Sequence, residues 1–539
     1  MAVRHFSATG TRASGNSTPD DWTNANCFPI SALQTQGFNW STMVDGDEII
    51  LDDGTHTFAS LVTGTVTAPG GTTIRMRSRS GSAASCTLAF SDGGVPSIRS
   101  NNGSRALGLL FTGIRFTKSV DHTVSGSSLI QLINLASGVD FVDCAIDAIT
   151  NTYTNAGVYG HMCIYDGVAA TLRFTRTPIT NLTSSHQSGL YFGYVGDLGL
   201  ISFIDCPISN ITNTVTGTAH HCTGGIVGPG GLSVLGGSLT DCTSTSATVG
   251  DYAHESIFHP NGPCTIIGLR SERITNTGAK AGVCIAKMEG PYTISDTLSI
   301  DCVGAADFRP EEPTQRYTAV GGTYLAFGPG AQGTATRIRA IRCISCFGPA
   351  WYCSQGAGGV ITDIFAEHCH ARKEGIFYAG GWGDVTFDTF RIVGGETGSE
   401  PFDFEGWGGA IYAHNHTLST RAKTTRILNG VIYGHRQLQN GDAAIKVRGI
   451  NATYPHTVEI SNVVIDNPGY ASQIGIHESA SCVINVSGSG IVLNGGASGI
   501  TKVRNGIGVD TYAPVSALTT VNRPTRWGVS QGNAARRTA

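Results

Sequence analysis

The most constraining feature of this sequence is an internal repeat. The segment FVDCAIDAIT at Phe141 to Thr150 recurs as FTRTPITNLT from Phe174 and as FIDCPISNIT from Phe203. Looser copies begin at Val234, Ile266, Ile294, Ile338, Ile364 and Phe387, with FTGIRF at Phe111 ahead of them and VEISNVVIDN from Val458 behind. From Phe111 to Phe387 the intervals run from 23 to 44 residues, with a mean of about 31. A second short apolar element falls between the copies, for example HMCIYDG at 161, SGLYFGY at 188, GVCIAKM at 282, EGIFYAG at 374 and GAIYAH at 409. Each is of strand length and bounded by Gly, Asn, Asp or Ser, and helical periodicity is almost absent. Two or three short strands in every turn of the repeat predict a parallel β-solenoid, in which like positions stack into columns.

Those columns are open to inspection. The eighth position of the repeat holds Asn181, Asn210, Asp241 and Asp301. Asn and Asp tolerate left-handed backbone and bond their neighbours, so this position reads as a ladder of turns. The ladder also accounts for Asn181-Leu-Thr and Asn210-Ile-Thr, which match glycosylation acceptors. Cys144 and Cys206 share one inward position and Cys242 and Cys302 another, as core stacks.

Composition narrows the classes. The 72 glycines do not fall at every third position, which excludes collagen, and a 40% hydrophobic share excludes wholesale disorder. A net charge of −4 provides no field for nucleic acid, and no apolar stretch approaches the length of a membrane span. Fifteen cysteines, an odd number without a compact framework, and an N-terminus without an apolar leader point to synthesis in a reducing cytoplasm.

The opening FSATGTRASGNSTPDDWTNANCFPISALQ, followed by VDGDEIILDDGTHTF at Val44 to Phe58, resembles the entry pattern of the pectate-lyase-like superfamily. The resemblance implies an all-β right-handed parallel β-helix whose N-terminal end is covered by a capping segment. On this basis residues 1–45 are expected to form an arm and cap, 46–500 the β-helix, and 501–539 a C-terminal tail suited to oligomer or virion contacts. The superfamily includes lyases, glycosidases, phage tailspikes and inert rods, so the fold alone does not assign function.

Candidate chemistry lies along the second strand of each turn. His161, His186, His220, His221 and His254 begin successive elements, and GDYAHESIFHP gathers Asp251, His254, Glu255 and His259. Lys287 and Glu289 are expected one rung on, with Tyr165, Tyr191, Tyr378 and Tyr412 continuing the stripe and Lys446, Arg448 and His477 its charge. Aromatic rings with polar tips suit sugar faces, and Lys or His suits a uronate or sialate carboxylate. Asp251, His254, Glu255, Lys287 and Glu289 are the catalytic candidates. β-Elimination would use His254 or Lys287 as base, and hydrolysis would use a carboxylate pair. His161, Tyr165, Tyr191, His221, His259, Tyr378 and Tyr412 are the glycan-binding candidates. The same residues also read as a solvated outer face, or as a binding groove without catalysis.

Other motifs carry less. GVSQG at Gly528 lacks a downstream Asp or His, and His254-Glu255 with His259 misses the zinc-protease spacing. Cys343, Cys346, Cys353, His368, Cys369 and His370 read as core and turn residues rather than a zinc set. No metal and no cofactor are expected. Three readings remain open. The first is a tailspike-like or tail-fibre-like virion protein that binds host-surface polysaccharide, with or without depolymerase activity; for it the resemblance implies a homotrimer in contact with other virion proteins. The second is a free, secreted polysaccharide lyase or glycoside hydrolase. The third is a non-catalytic structural rod or capsid decoration.

Overall fold

A computed structural model of the chain describes residues 2–33, 42–59, 61–63, 72–92, 98–101, 107–118, 130–133, 138–151, 164–166, 171–184, 194–195, 199–215, 230–246, 257–277, 281–304, 320–345, 347–372, 375–398, 408–415, 419–437, 443–449, 451, 453–468, 470, 472–479, 484–495, 498–505 and 518–520. Among these residues the one helical element is a 3-10 turn at Ile30–Leu33, and no helix is long and apolar enough to cross a membrane. Strands pair in parallel from one repeat to the next, so the protein is an all-β parallel β-helix.

Each turn contributes two neighbouring strands to a long sheet and a third strand to a second face. In one turn these are Val139–Val142, Ala145–Asn151 and Ile164–Asp166. The repeat sets the register. Phe111, Phe141, Phe174 and Phe203 are directly opposite one another on successive rungs. Their rings stack at 5.2, 5.1 and 5.2 Å, fully withdrawn from water. Val234, Ile266 and Ile294 continue the column. The copies beginning at Ile338 and Ile364 are displaced from it by three residues, because Ile294 pairs with Ala335, Ala335 with Ile361 and Ile361 with Phe387.

The turn ladder forms as its residue types require. Asn181, Asn210, Asp241 and Asp301 have φ of 57, 55, 55 and 54°, the left-handed region these side chains tolerate. A second left-handed column, unnoticed in the sequence, runs through Asp143, Arg176, Asp205, Asp296, Arg337, Asp363, Asn429 and Asn462. Gly113 begins it (φ 64°), where a Cβ would meet the Gly81 backbone at 2.4 Å. Arginines that fall in these columns fork onto the aspartate one rung below: Arg176 on Asp143 at 2.7 and 2.8 Å, Arg273 on Asp241 at 2.6 and 2.9 Å, and Arg342 on Asp301 at 2.6 and 2.7 Å. These exposed pairs add little stability; their planar geometry ties neighbouring rungs together in one register.

Cysteine packs as a small hydrophobe. The eleven described cysteines are all free and buried, with Cys144 and Cys206 in one column and Cys242, Cys302, Cys343 and Cys369 in another. At the N-terminal end Val3–Ser7 pairs with Phe28–Pro29 and Glu48–Leu51. Arg4 and Asp47 form a buried ion pair at 3.2 Å, and Trp22 is sandwiched between His5 at 4.3 Å and Arg79 at 4.4 Å. At the other end Ser498–Asn505 extends the second face and Leu518–Thr520 pairs with Ile484–Gly495.

Candidate functional site

The second face carries one continuous outward column through the later rungs. Lys287 lies opposite Leu325, then Tyr352, Tyr378, Tyr412 and Lys446 follow in register. His259 sits one rung before Lys287, placed by the bridge between Phe258 and Ala286. The spacing of the second element therefore brings Lys287, Tyr378, Tyr412 and Lys446 together, as the stripe requires. Tyr352, on Trp351–Ser354, belongs to the column and was missed in the sequence, because WYCS shows no alternation.

The column is not open to water, and here the expectation of outward, solvated side chains is corrected. Lys287 is 1% exposed, His259 4%, Tyr378 5% and Tyr412 1%. These side chains point away from the main core but are roofed. Phe347 stacks on Tyr352 at 5.7 Å and meets Tyr378 edge-on at 5.7 Å, and Lys287 lies 4.6 Å from the Phe327 ring centre. Leu325, Phe347, Tyr352, Tyr378 and Tyr412 make a second apolar cluster outside the coil. As packed, Tyr378 and Tyr412 spend their faces on each other, at 5.6 Å, and on their neighbours; they present no platform to a sugar.

At the start of the column the polar groups converge on one carboxylate. Glu289 Oε1 takes the Lys287 ammonium at 2.5 Å and His259 Nε2 at 3.2 Å. The Glu289 side chain is 33% exposed while its two partners are buried. Burial by itself would raise the Glu289 carboxyl, but the His259 hydrogen bond and the Lys287 charge outweigh it and hold the group at about 2. Burial lowers Lys287 below the ordinary lysine value, and the Glu289 charge restores part of that. His259 is likewise lowered by burial, against the pull of Glu289. At neutral pH the solvent-facing group is therefore a fixed, ionised carboxylate backed by a cation and an imidazole donor. Such a carboxylate is a strong acceptor for hydroxyl groups and, with so low a pKa, a poor proton carrier near pH 7. Lys287 is committed to Glu289 and shielded from solvent, which disfavours it as a base in this arrangement.

The other candidates are placed as follows. Asp251, His254 and Glu255 lie outside the described residues, as do His161, Tyr191 and His221. Tyr165 is on Ile164–Asp166, where its register partner is Tyr194 rather than Tyr191. Arg448 and His477 pair in register, two positions along from Lys446. Among the described residues no group of His, Cys, Asp and Glu is arranged to hold a metal.

One titratable cluster had no sequence signal. Lys423, 1% exposed, donates to the carbonyls of Ala379 at 2.6 Å and His414 at 2.8 Å. Burial pushes its amine down to about 7, with Cys353 and Asp384 pulling the other way. His414 bonds Tyr378 Oη through Nε2, and His456 Nε2 bonds Thr425 Oγ1 at 2.9 Å.

No family model matches this chain, and no curated protein matches its sequence. Among solved structures it is similar to the catalytic domain of a GH87 α-1,3-glucanase in complex with tetrasaccharides, at 10% identity and a TM-score of 0.20, over 88% of this chain and 63% of that one. It is also similar to a PL6-family alginate lyase, at 11% identity and a TM-score of 0.18, over 89% and 97% of the two chains. The chain thus spans less than two thirds of the glucanase it matches. No residue of the site takes a role from these likenesses.

Proposed function

We propose that this protein is a carbohydrate-binding β-helix of the tailspike or tail-fibre type, carried on a virion as a homotrimer and meeting host-surface polysaccharide. The observation that carries the binding reading is Glu289: a carboxylate held ionised at the edge of the second face by Lys287 and His259 beneath it. Sugar hydroxyls are donors that such a group accepts without further reorganisation. The buried free cysteines accord with assembly in a reducing compartment before use elsewhere.

The test is a glycan array probed with the full chain and with Glu289→Gln. A bound glycan whose affinity falls about tenfold or more in the variant supports the reading, that being the range for a hydrogen bond to a charged acceptor. Retention within twofold, or no binding by the wild type, overturns it. Reducing-end and unsaturated-product assays on the same glycans test the alternative of a free lyase or hydrolase, and mass photometry tests the trimer.

A further inference from the structure

The described arginines of the two left-handed turn columns, Arg176, Arg273, Arg337 and Arg342, are each paired with an aspartate, but two strand arginines of the long sheet, Arg339 and Arg391, have no such partner among the described residues. They stand in one column of the long sheet with Phe365 between them, Arg339 opposite Phe365 and Phe365 opposite Arg391. Both arginines are exposed and Phe365 is half-buried. The Arg391 guanidinium lies 5.9 Å from the Phe365 ring centre, and among the described residues neither arginine has a carboxylate within ion-pair distance. Phe365 is flanked on its strand by Asp363 and Glu367, whose charges act on Arg337 and Arg342 respectively.

We propose that Arg339, Phe365 and Arg391 form a binding strip for a linear acidic polysaccharide lying along the coil axis. Parallel strands repeat at about 4.8 Å, so the two guanidinium-bearing positions are roughly 10 Å apart along the coil axis. Guanidinium forks match the planar oxygens of carboxylate or sulfate. The ring between them offers an apolar face to the C–H face of a pyranose. The strip is on a different sheet from Glu289 and does not depend on the reading of that residue.

The experiment measures binding of the full chain to polygalacturonate, dextran sulfate and neutral dextran at low and physiological salt. The variants are Arg339→Gln/Arg391→Gln and, as a control outside both sites, Arg176→Gln, whose arginine is paired with Asp143. The strip predicts binding to one or both acidic polymers but not to neutral dextran, weakened by salt. It predicts a loss of tenfold or more in the double arginine variant with an unchanged circular dichroism spectrum, and no loss in Arg176→Gln. The two acidic probes separate a carboxylate from a sulfate ligand. Absence of wild-type binding to either acidic polymer overturns the proposal, as does a double variant that binds within twofold. A sedimentation shift showing that the double variant breaks a self-association overturns it in favour of a second copy of this chain.

Discussion

Replacing Lys423 with methionine tests how this coil accommodates an amine in its interior. The wild-type Nζ has two carbonyl acceptors, Ala379 and His414, and no carboxylate within ion-pair distance among the described residues. The charged or titratable groups around it are Cys353, Asp384, His414 and His456. A fall from 10.5 to about 7 corresponds to about 5 kcal/mol against the protonated form in the fold. The sign follows from proton counting. Between pH 7 and 10.5 the unfolded amine binds a proton that the folded amine lacks, so stability rises with pH, by up to about 1.4 kcal/mol per unit. Below pH 7 the penalty is present in full, and above 10.5 it is gone. Methionine has no proton to bind and abolishes this slope. It also leaves two carbonyls without a donor, at about 1–3 kcal/mol each, so the offset at pH 6.5 is small. The buried thiols, such as Cys86 and Cys144 pushed up to about 12, destabilise the fold as pH rises through the thiol range. They do so equally in both proteins and cancel in the difference. Urea unfolding followed by tryptophan fluorescence at pH 6.5, 7.5, 8.5 and 9 should show wild type gaining on Lys423→Met by about 2 kcal/mol between pH 7.5 and 9. A difference that stays flat across that range refutes the reasoning.

Phe174→Ala removes the ring held between Phe141 and Phe203 and should cost about 3–5 kcal/mol, read as a lowered urea midpoint; a loss below about 1 kcal/mol would mean the column does not bear on stability. At Asn210, whose φ is 55°, a β-branched side chain is strained, so Asn210→Val should lose about 1–2 kcal/mol while Asn210→Gly stays near wild type. Equal losses from the two substitutions, measured by thermal melting, would remove the ladder's conformational rationale.

The parts of the coil legible in the sequence are those where two signals coincide. At Phe141, Phe174 and Phe203 a large core residue recurs at a fixed distance from the left-handed positions, so the segments align by eye and the structure keeps that alignment. Around Ile338 both signals fade together. The core column there is filled by Ala335, too small to stand out, and the left-handed site is taken by Arg337 (φ 54°) instead of Asp or Asn. A pattern search then locks onto Ile338, three residues late. The stripe on the second face shows a different limit. Alternation says which side of a strand a residue occupies, and it placed Lys287, Tyr378 and Tyr412 on one column. It cannot say whether that side meets water, because the cover depends on how neighbouring rings pack: Phe327, two residues beyond Leu325 on its strand, lies against Lys287, and Phe347, just ahead of Trp351–Ser354, folds over Tyr352 and Tyr378. The consequence is chemical: a lysine expected at the surface as a base becomes the buried counter-charge of Glu289, and the group left facing solvent is the carboxylate.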